Sequence, residues 1–139
     1  QPAVHIREVV MNPETVKATV TRLFAAMQER DFDTWLTCFA DDAKNYNPVG
    51  TPPLQGHEAM KRVFQNTVGG FTDWKLTAES MFVAGNEAAV KYTATGKLKN
   101  GKLVVIDGIS VYEVNDAGKV QTVRAYWHPA EVAAQMKKQ

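Results

Sequence analysis

The sequence predicts an α+β domain in which three N-terminal helices pack on a strongly curved antiparallel sheet, the whole forming a cone. Three observations carry this expectation. Apolar residues recur at helical spacing only before Gly69-Gly70. Beyond that point the chain reads as long strands joined by turn signals, among them Asn100-Gly101, a strong hairpin dipeptide. Helices first and a strand meander second is the order of an α+β fold, whereas a parallel sheet needs the two to alternate.

Taken in order, residues 1–11 show no clear period and read as an arm, or as a short strand around Val4–Val10. Asn12 as cap, Pro13 in the first turn and Glu14 behind it open a helix that ends near Arg30. Its buried face is Val16, Val20, Leu23, Phe24 and Met27. A short helix from Asp33 turns Trp35, Leu36 and Phe39 inward. Asp41, Asp42 and Ala43 lead into a short strand that stops at Asn47-Pro48, and three prolines and a glycine keep residues 48–53 irregular. The third helix runs from His57 to Val68 with Met60, Val63 and Phe64 inward, and Gly69-Gly70 closes it. Strands follow near Trp74–Val83, Ala88–Leu98, Leu103–Val114 and Val120–Trp127, giving four or five strands in all. Pro129 opens a brief C-terminal helix, so the single domain 1–139 carries an arm at 1–11 and a tail at 129–139.

Composition narrows the function classes. Sixteen basic residues face fifteen acidic ones, a net charge of +1, which offers no footprint for nucleic acid and no pull towards acidic membranes. No apolar run reaches the about 20 residues of a membrane helix. Cys38 is the only cysteine, so no internal disulfide exists; it fits a reducing, cytoplasmic setting and reads as a buried core thiol. The chain begins at Gln1 without Met or an apolar signal core, as a trimmed or processed chain would, leaving room for a removed export signal. No pair of histidines with carboxylates has metal-ligand spacing, and no phosphate loop, nucleophile elbow or dinucleotide fingerprint is present. Neither a metal nor a cofactor is expected. Thr93, Thr95, Gly96, Gly108 and Ser110 are small for a curved sheet and suggest room for an apolar ligand.

Three stretches carry a family resemblance: Phe39-Ala40-Asp41-Asp42-Ala43, then Asn47-Pro48-x-Gly50-x-Pro52-Pro53-x-x-Gly56, and finally Gly118 through Thr122 with Ala125-Tyr126-Trp127. In type, order and spacing they resemble the ketosteroid-isomerase and SnoaL-like superfamily, the nuclear-transport-factor-2-like fold, over roughly residues 15–128. In the isomerases an Asp moves a proton across the steroid while a Tyr and a protonated Asp hold the developing oxyanion. Carried over, the resemblance puts the base at Asn47, the Tyr at Leu23 and the protonated Asp at Ser110. All three groups are replaced. An amide cannot take a proton at neutral pH, a leucine donates nothing, and a serine hydroxyl is far less acidic than a carboxyl. Losing one oxyanion donor typically costs about 10²–10³ in rate, so standard steroid isomerisation is not expected.

The remaining candidates each have a structural alternative. Asn47 either positions a ligand carbonyl or water, or caps the loop before Pro48. Asp107 lies three residues from Ser110, so it faces away from Ser110 and pairs with a lysine unless a bulge reverses it. Lys91 shares the parity of Thr93, a candidate ligand contact; the other register turns Val90, Tyr92 and Ala94 inward and leaves Lys91 in solvent. His128 is a candidate base at the pocket mouth or a helix-start residue. His57 reads as a first-turn residue, and Asp41 and Asp42 as a cap and a solvent-facing carboxylate. Trp127, matched to a pocket tryptophan of the isomerases, joins Leu23, Phe64 and Tyr112 as ligand-binding candidates. The expected function is a pocket acting on a small hydrophobic, steroid- or polyketide-like molecule by isomerisation, cyclisation or hydration. The alternative is a non-catalytic ligand-binding or dimeric association module. Strands apolar on both faces further predict a homodimer through the outer face of the sheet.

Overall fold

The computed structural model describes residues 12–137. The expected arm, with His5 and the possible strand at Val4–Val10, lies outside them. Helix α1 spans Pro13–Gln28, and the Asn12 side chain accepts a hydrogen bond from the Glu14 N–H at 2.8 Å. Val16, Val20 and Leu23 are fully buried along one stripe, each burial stabilising by about 1.5–3 kcal/mol. Arg30 then turns the chain in the left-handed region at φ 57°, a conformation that strains a side-chain-bearing residue. Its guanidinium is fastened to the Phe71 and Thr72 carbonyls, which holds the turn.

Asp31 caps α2 (Phe32–Thr37) through the Thr34 N–H. Strand β1 (Phe39–Tyr46) starts immediately after, so Phe39 is the first buried residue of a strand and not an inward residue of the helix. Asp41 and Asp42 therefore lie within β1; Asp42 accepts from Gln121, and Asp41 stands 3.9 Å from His57. A two-residue β2 (Leu54–Gln55) precedes α3 (His57–Thr67), which a 3₁₀ turn at Val68–Gly70 ends. The long strands are β3 (Lys75–Ala84), β4 (Glu87–Lys97), β5 (Leu103–Val114) and β6 (Val120–Tyr126), and α4 (Pro129–Lys137) follows.

The sheet has six strands in the order β2-β1-β6-β5-β4-β3. It is curved and unclosed, and one pairing departs from expectation: β1 runs parallel to β6. The others are antiparallel. The main core lies between the helices and the inner sheet face, where Val90, Val114, Val120 and Val123 meet Val20, Leu23, Met60 and Phe64. A smaller cluster of Phe71, Val104 and Val132 closes the other end.

Two details hold that end. The Trp74 indole N–H donates to the Met27 carbonyl at 3.0 Å, tying the end of α1 to the start of β3. Strand β5 outruns β6, whose register ends at the Ile109–Tyr126 pair. There the Gln135 amide of α4 takes the place of a neighbouring strand: it accepts from the Val105 N–H at 2.7 Å and donates to the Val105 carbonyl at 2.9 Å.

Candidate functional site

Between the helices and the inner face lies a cavity of about 340 Å³, within the usual size range of small-molecule sites. Strand parity decides which residues reach it. Val90 and Ala94 are buried, so the inner row of β4 is Val90, Tyr92, Ala94 and Gly96. On β5 the buried Val104, Ser110 and Tyr112 set the even positions inward. Leu23, Asn47, Phe64, Ser110, Tyr112 and Trp127 consequently share one cavity.

Three expected site residues lie elsewhere. Thr93 and Asp107 pair across β4 and β5 on the outer face, where the Thr93 hydroxyl donates to Asp107 Oδ1 at 2.8 Å. Lys91 lies beside them, 3.8 Å from Asp107 and 3.0 Å from Glu79, in solvent. The β4–β5 ladder runs without a register shift, so the parity of Lys91, Thr93 and Asp107 is not reversed. His128 has a largely exposed side chain, stands 3.9 Å from Glu131, and gives its carbonyl to the Val132 N–H; it is a helix-start residue. Nor do the inner glycines leave room for a ligand. A Cβ on Gly96 would lie 2.6 Å from the Phe71 ring, and one on Gly108 would lie 2.7 Å from the Tyr92 hydroxyl. Aromatic rings already fill those gaps.

Besides Asn66, Thr67 and Trp74, three sets of polar groups line the cavity. Asn47 Oδ1 accepts from the Trp127 Nε1–H at 2.7 Å. Because an indole N–H only donates, this bond fixes the amide, whose other end is an NH₂ donor. At this position the chain therefore offers the cavity a hydrogen-bond donor. Ser110, 4% exposed, shares the inner sheet face with Tyr92 and Tyr112. Burial pushes both phenols above the usual tyrosine range, more strongly for Tyr112, so both stay neutral at any physiological pH. The third set is Trp35 and Asn45, 3% and 8% exposed, whose Nε1 and Oδ1 atoms have no hydrogen-bond partner.

Trp35, Asn45 and Tyr92 were absent from the expected site. Tyr92 follows from the register that turns Val90 and Ala94 inward. Asn45 shares a strand face with Ala43 and Asn47, a two-residue period that was available in the sequence. Among the described residues, no Asp, Glu, Lys, Arg or His lines the cavity. Nor do three or more His, Cys, Asp or Glu side chains converge on a point suited to a metal. Cys38 is buried, its thiol pushed up by burial, and its Sγ donates weakly to the Thr34 carbonyl. No helix among the described residues is long and apolar enough to cross a membrane.

Comparison with known proteins agrees with the fold. A Mycobacterium tuberculosis protein solved in complex with estradiol-17beta-hemisuccinate superposes with a TM-score of 0.76 at 22% identity, over 84% of this chain and 95% of that one. The Delta 5-3-ketosteroid isomerase from Mycobacterium sp. gives a TM-score of 0.74 at 25% identity, over 85% and 95%. SalBIII, described as an epoxide hydrolase/cyclase-like enzyme in pyran ring formation in the polyether salinomycin, gives 0.77 at 22%, over 84% and 93%. The model of the SnoaL-like domain matches residues 20–123, and the chain belongs to that family.

Proposed function

We propose that this protein is a receptor for a flat, uncharged hydrophobic molecule of steroid or polyketide size, held in the cavity without proton transfer. One observation carries this reading: the polar groups lining the cavity are amides, hydroxyls and indoles, none of which exchanges a proton at neutral pH. Isomerisation or hydration needs a base, and the position matched to one holds an amide whose oxygen is already engaged. The related fold that holds a steroid ester supports the size and flatness of the ligand. A second reading, cyclisation, rests on the Tyr92–Ser110–Tyr112 hydroxyls, which can polarise a ligand oxygen without being charged.

Estradiol at micromolar concentration is expected to quench the tryptophan fluorescence, with part of the quenching lost in Trp127→Phe. The same protein should leave a Δ5-3-ketosteroid unconverted. Absence of quenching in both chains, or rapid turnover of the ketosteroid, sinks the reading.

We also propose a homodimer through the outer sheet face. Val49, Ile109 and Tyr126 line one surface groove there, each more than two-fifths exposed, and Phe82 stands 73% exposed on β3. Apolar patches of this kind mark interaction surfaces. Sedimentation should give a species of twice 15.4 kDa; a monomer at micromolar concentration contradicts it. The lone reduced thiol of Cys38 supports a cytoplasmic setting for such a receptor.

A further inference from the structure

The net charge of +1 conceals an uneven distribution along the chain. Residues 97–106 hold Lys97, Lys99 and Lys102 and no acidic residue; residues 132–137 of α4 hold Lys137 and again no acid. Two contacts bring these segments to one end of the molecule. At the β4–β5 turn the Leu98 N–H donates to the Lys102 carbonyl at 2.9 Å. The Lys102 ammonium in turn donates to the Met136 carbonyl at 2.9 Å, beside Lys137. Acidic side chains answer little of this charge. Asp73 stands 3.6 Å from Lys97 in an exposed pair, and Glu131 lies at the other end of α4, near His128. Asp107, the next acid along β5, is engaged with Thr93 and Lys91.

Apolar side chains stand among these lysines. Leu103, which follows Lys102 and pairs across the ladder with Lys97, is 57% exposed, and Met136 is 41% exposed. Met136 and Leu98 also line the cavity, so the basic end is part of its rim. Lysines interleaved with exposed apolar side chains suit a surface that is anionic outside and hydrocarbon beneath. An acidic protein would answer the ammoniums equally well, but it gives no reason for the apolar lining of the cavity to run into the patch. We propose that this end of the molecule docks on an anionic lipid surface, with Leu103 and Met136 entering between the headgroups. The attraction fades within about 8 Å at physiological salt, so the local charge decides it and the net charge does not. The proposal goes beyond the receptor reading: it concerns where a hydrophobic ligand would be collected, and it is tested without one.

The full chain is sedimented with phosphatidylcholine vesicles, with and without phosphatidylserine, at physiological salt. Binding to the anionic vesicles should exceed binding to the neutral ones about tenfold or more. Lys99→Gln and Lys137→Gln should each weaken it about fivefold, and Leu103→Gln should weaken it severalfold. All three side chains are exposed, and thermal melts run beside the assay should match the parent. Lys17→Gln makes the same charge change on α1, whose Thr19 meets Gly118 at the far end of β5; it should leave binding within about twofold. Equal binding to both vesicle types, binding to neither, or a loss in Lys17→Gln as large as in Lys99→Gln overturns the proposal. Retention on immobilised polyglutamate without vesicle binding overturns it too and assigns the patch to an acidic protein. None of these outcomes touches the receptor reading, whose probe is estradiol in the absence of lipid.

Discussion

Asn47→Asp, Leu23→Tyr and Ser110→Asp, made together, are expected to convert this chain into an isomerase of Δ5-3-ketosteroids. The gain should exceed the product of the single changes, because base and oxyanion donors act as a unit. The structure supports each step. An aspartate at 47 would receive the Trp127 N–H now 2.7 Å from Asn47, a bond that favours the ionised form and keeps a base available. An aspartate at 110 would occupy a site 4% exposed between two phenols, where burial favours the protonated, donating form. Leu23 is fully buried at the cavity wall, so a tyrosine there must displace packed neighbours to reach the cavity. Overpacking should cost about 1–3 kcal/mol. Asn47→Asp alone should give slight activity, since the enolate charge stays uncompensated; each added donor should contribute about 10²–10³ in rate. Enone absorbance measures the rate, and a thermal melt run beside it shows that the variant is folded. A folded triple variant no more active than its parent means that the residue correspondence is wrong.

Gly108→Ala should be the most damaging single-methyl change in the sheet. Its Cβ would stand 2.6 Å from the Tyr126 carbonyl oxygen and 2.7 Å from the Tyr92 hydroxyl. Tyr92 could swing aside, but the carbonyl belongs to the backbone of β6 and moves only with that strand. Overpacking of this kind costs about 1–3 kcal/mol and sometimes more. A shift of roughly 3–4 °C in melting temperature per kcal/mol follows for a domain of this size. Gly70→Ala is the control: nothing lies within 4 Å of its Cβ, and it should melt almost as the parent does. Equal melting of the two variants would mean that β5 and β6 are looser here than the geometry allows. The Gly108 variant should also lose affinity for ligand, because displacing Tyr92 breaks the hydroxyl cluster.

Much of this was legible in the sequence because it is local. Asn12-Pro13-Glu14 opens α1 as a cap and first turn do anywhere, and Asn100-Gly101 needs no tertiary context to reverse the chain. What was not legible depends on partners distant in the chain. The parallel pairing of β1 with β6 joins Asn45 to Val123, and no local pattern encodes that choice. Phe39 is apolar at a helix-strand junction and suits either element; only the pairing with Val120 makes it strand. In the site, Leu23, Asn47, Phe64, Ser110, Tyr112 and Trp127 line one cavity. Thr93 was misjudged because its smallness suggested room, whereas parity alone decides which face a strand residue occupies. Asn45 escaped notice for the opposite reason: a polar residue beside Lys44 looks like surface until β6 and α3 cover it.

The Gln135 amide has a consequence for solubility. Along residues 103–108, β5 has β4 on one side and no strand on the other, a bare row of N–H and carbonyl groups of the kind that templates pairing between chains. Gln135 occupies Val105 in that row, and α4 lays Val132 and Met136 against the cavity at the same point. A chain shortened before Pro129 would thus uncover an open strand edge and an apolar hollow side by side. Its characteristic failure would be aggregation, with most of the fold still in place.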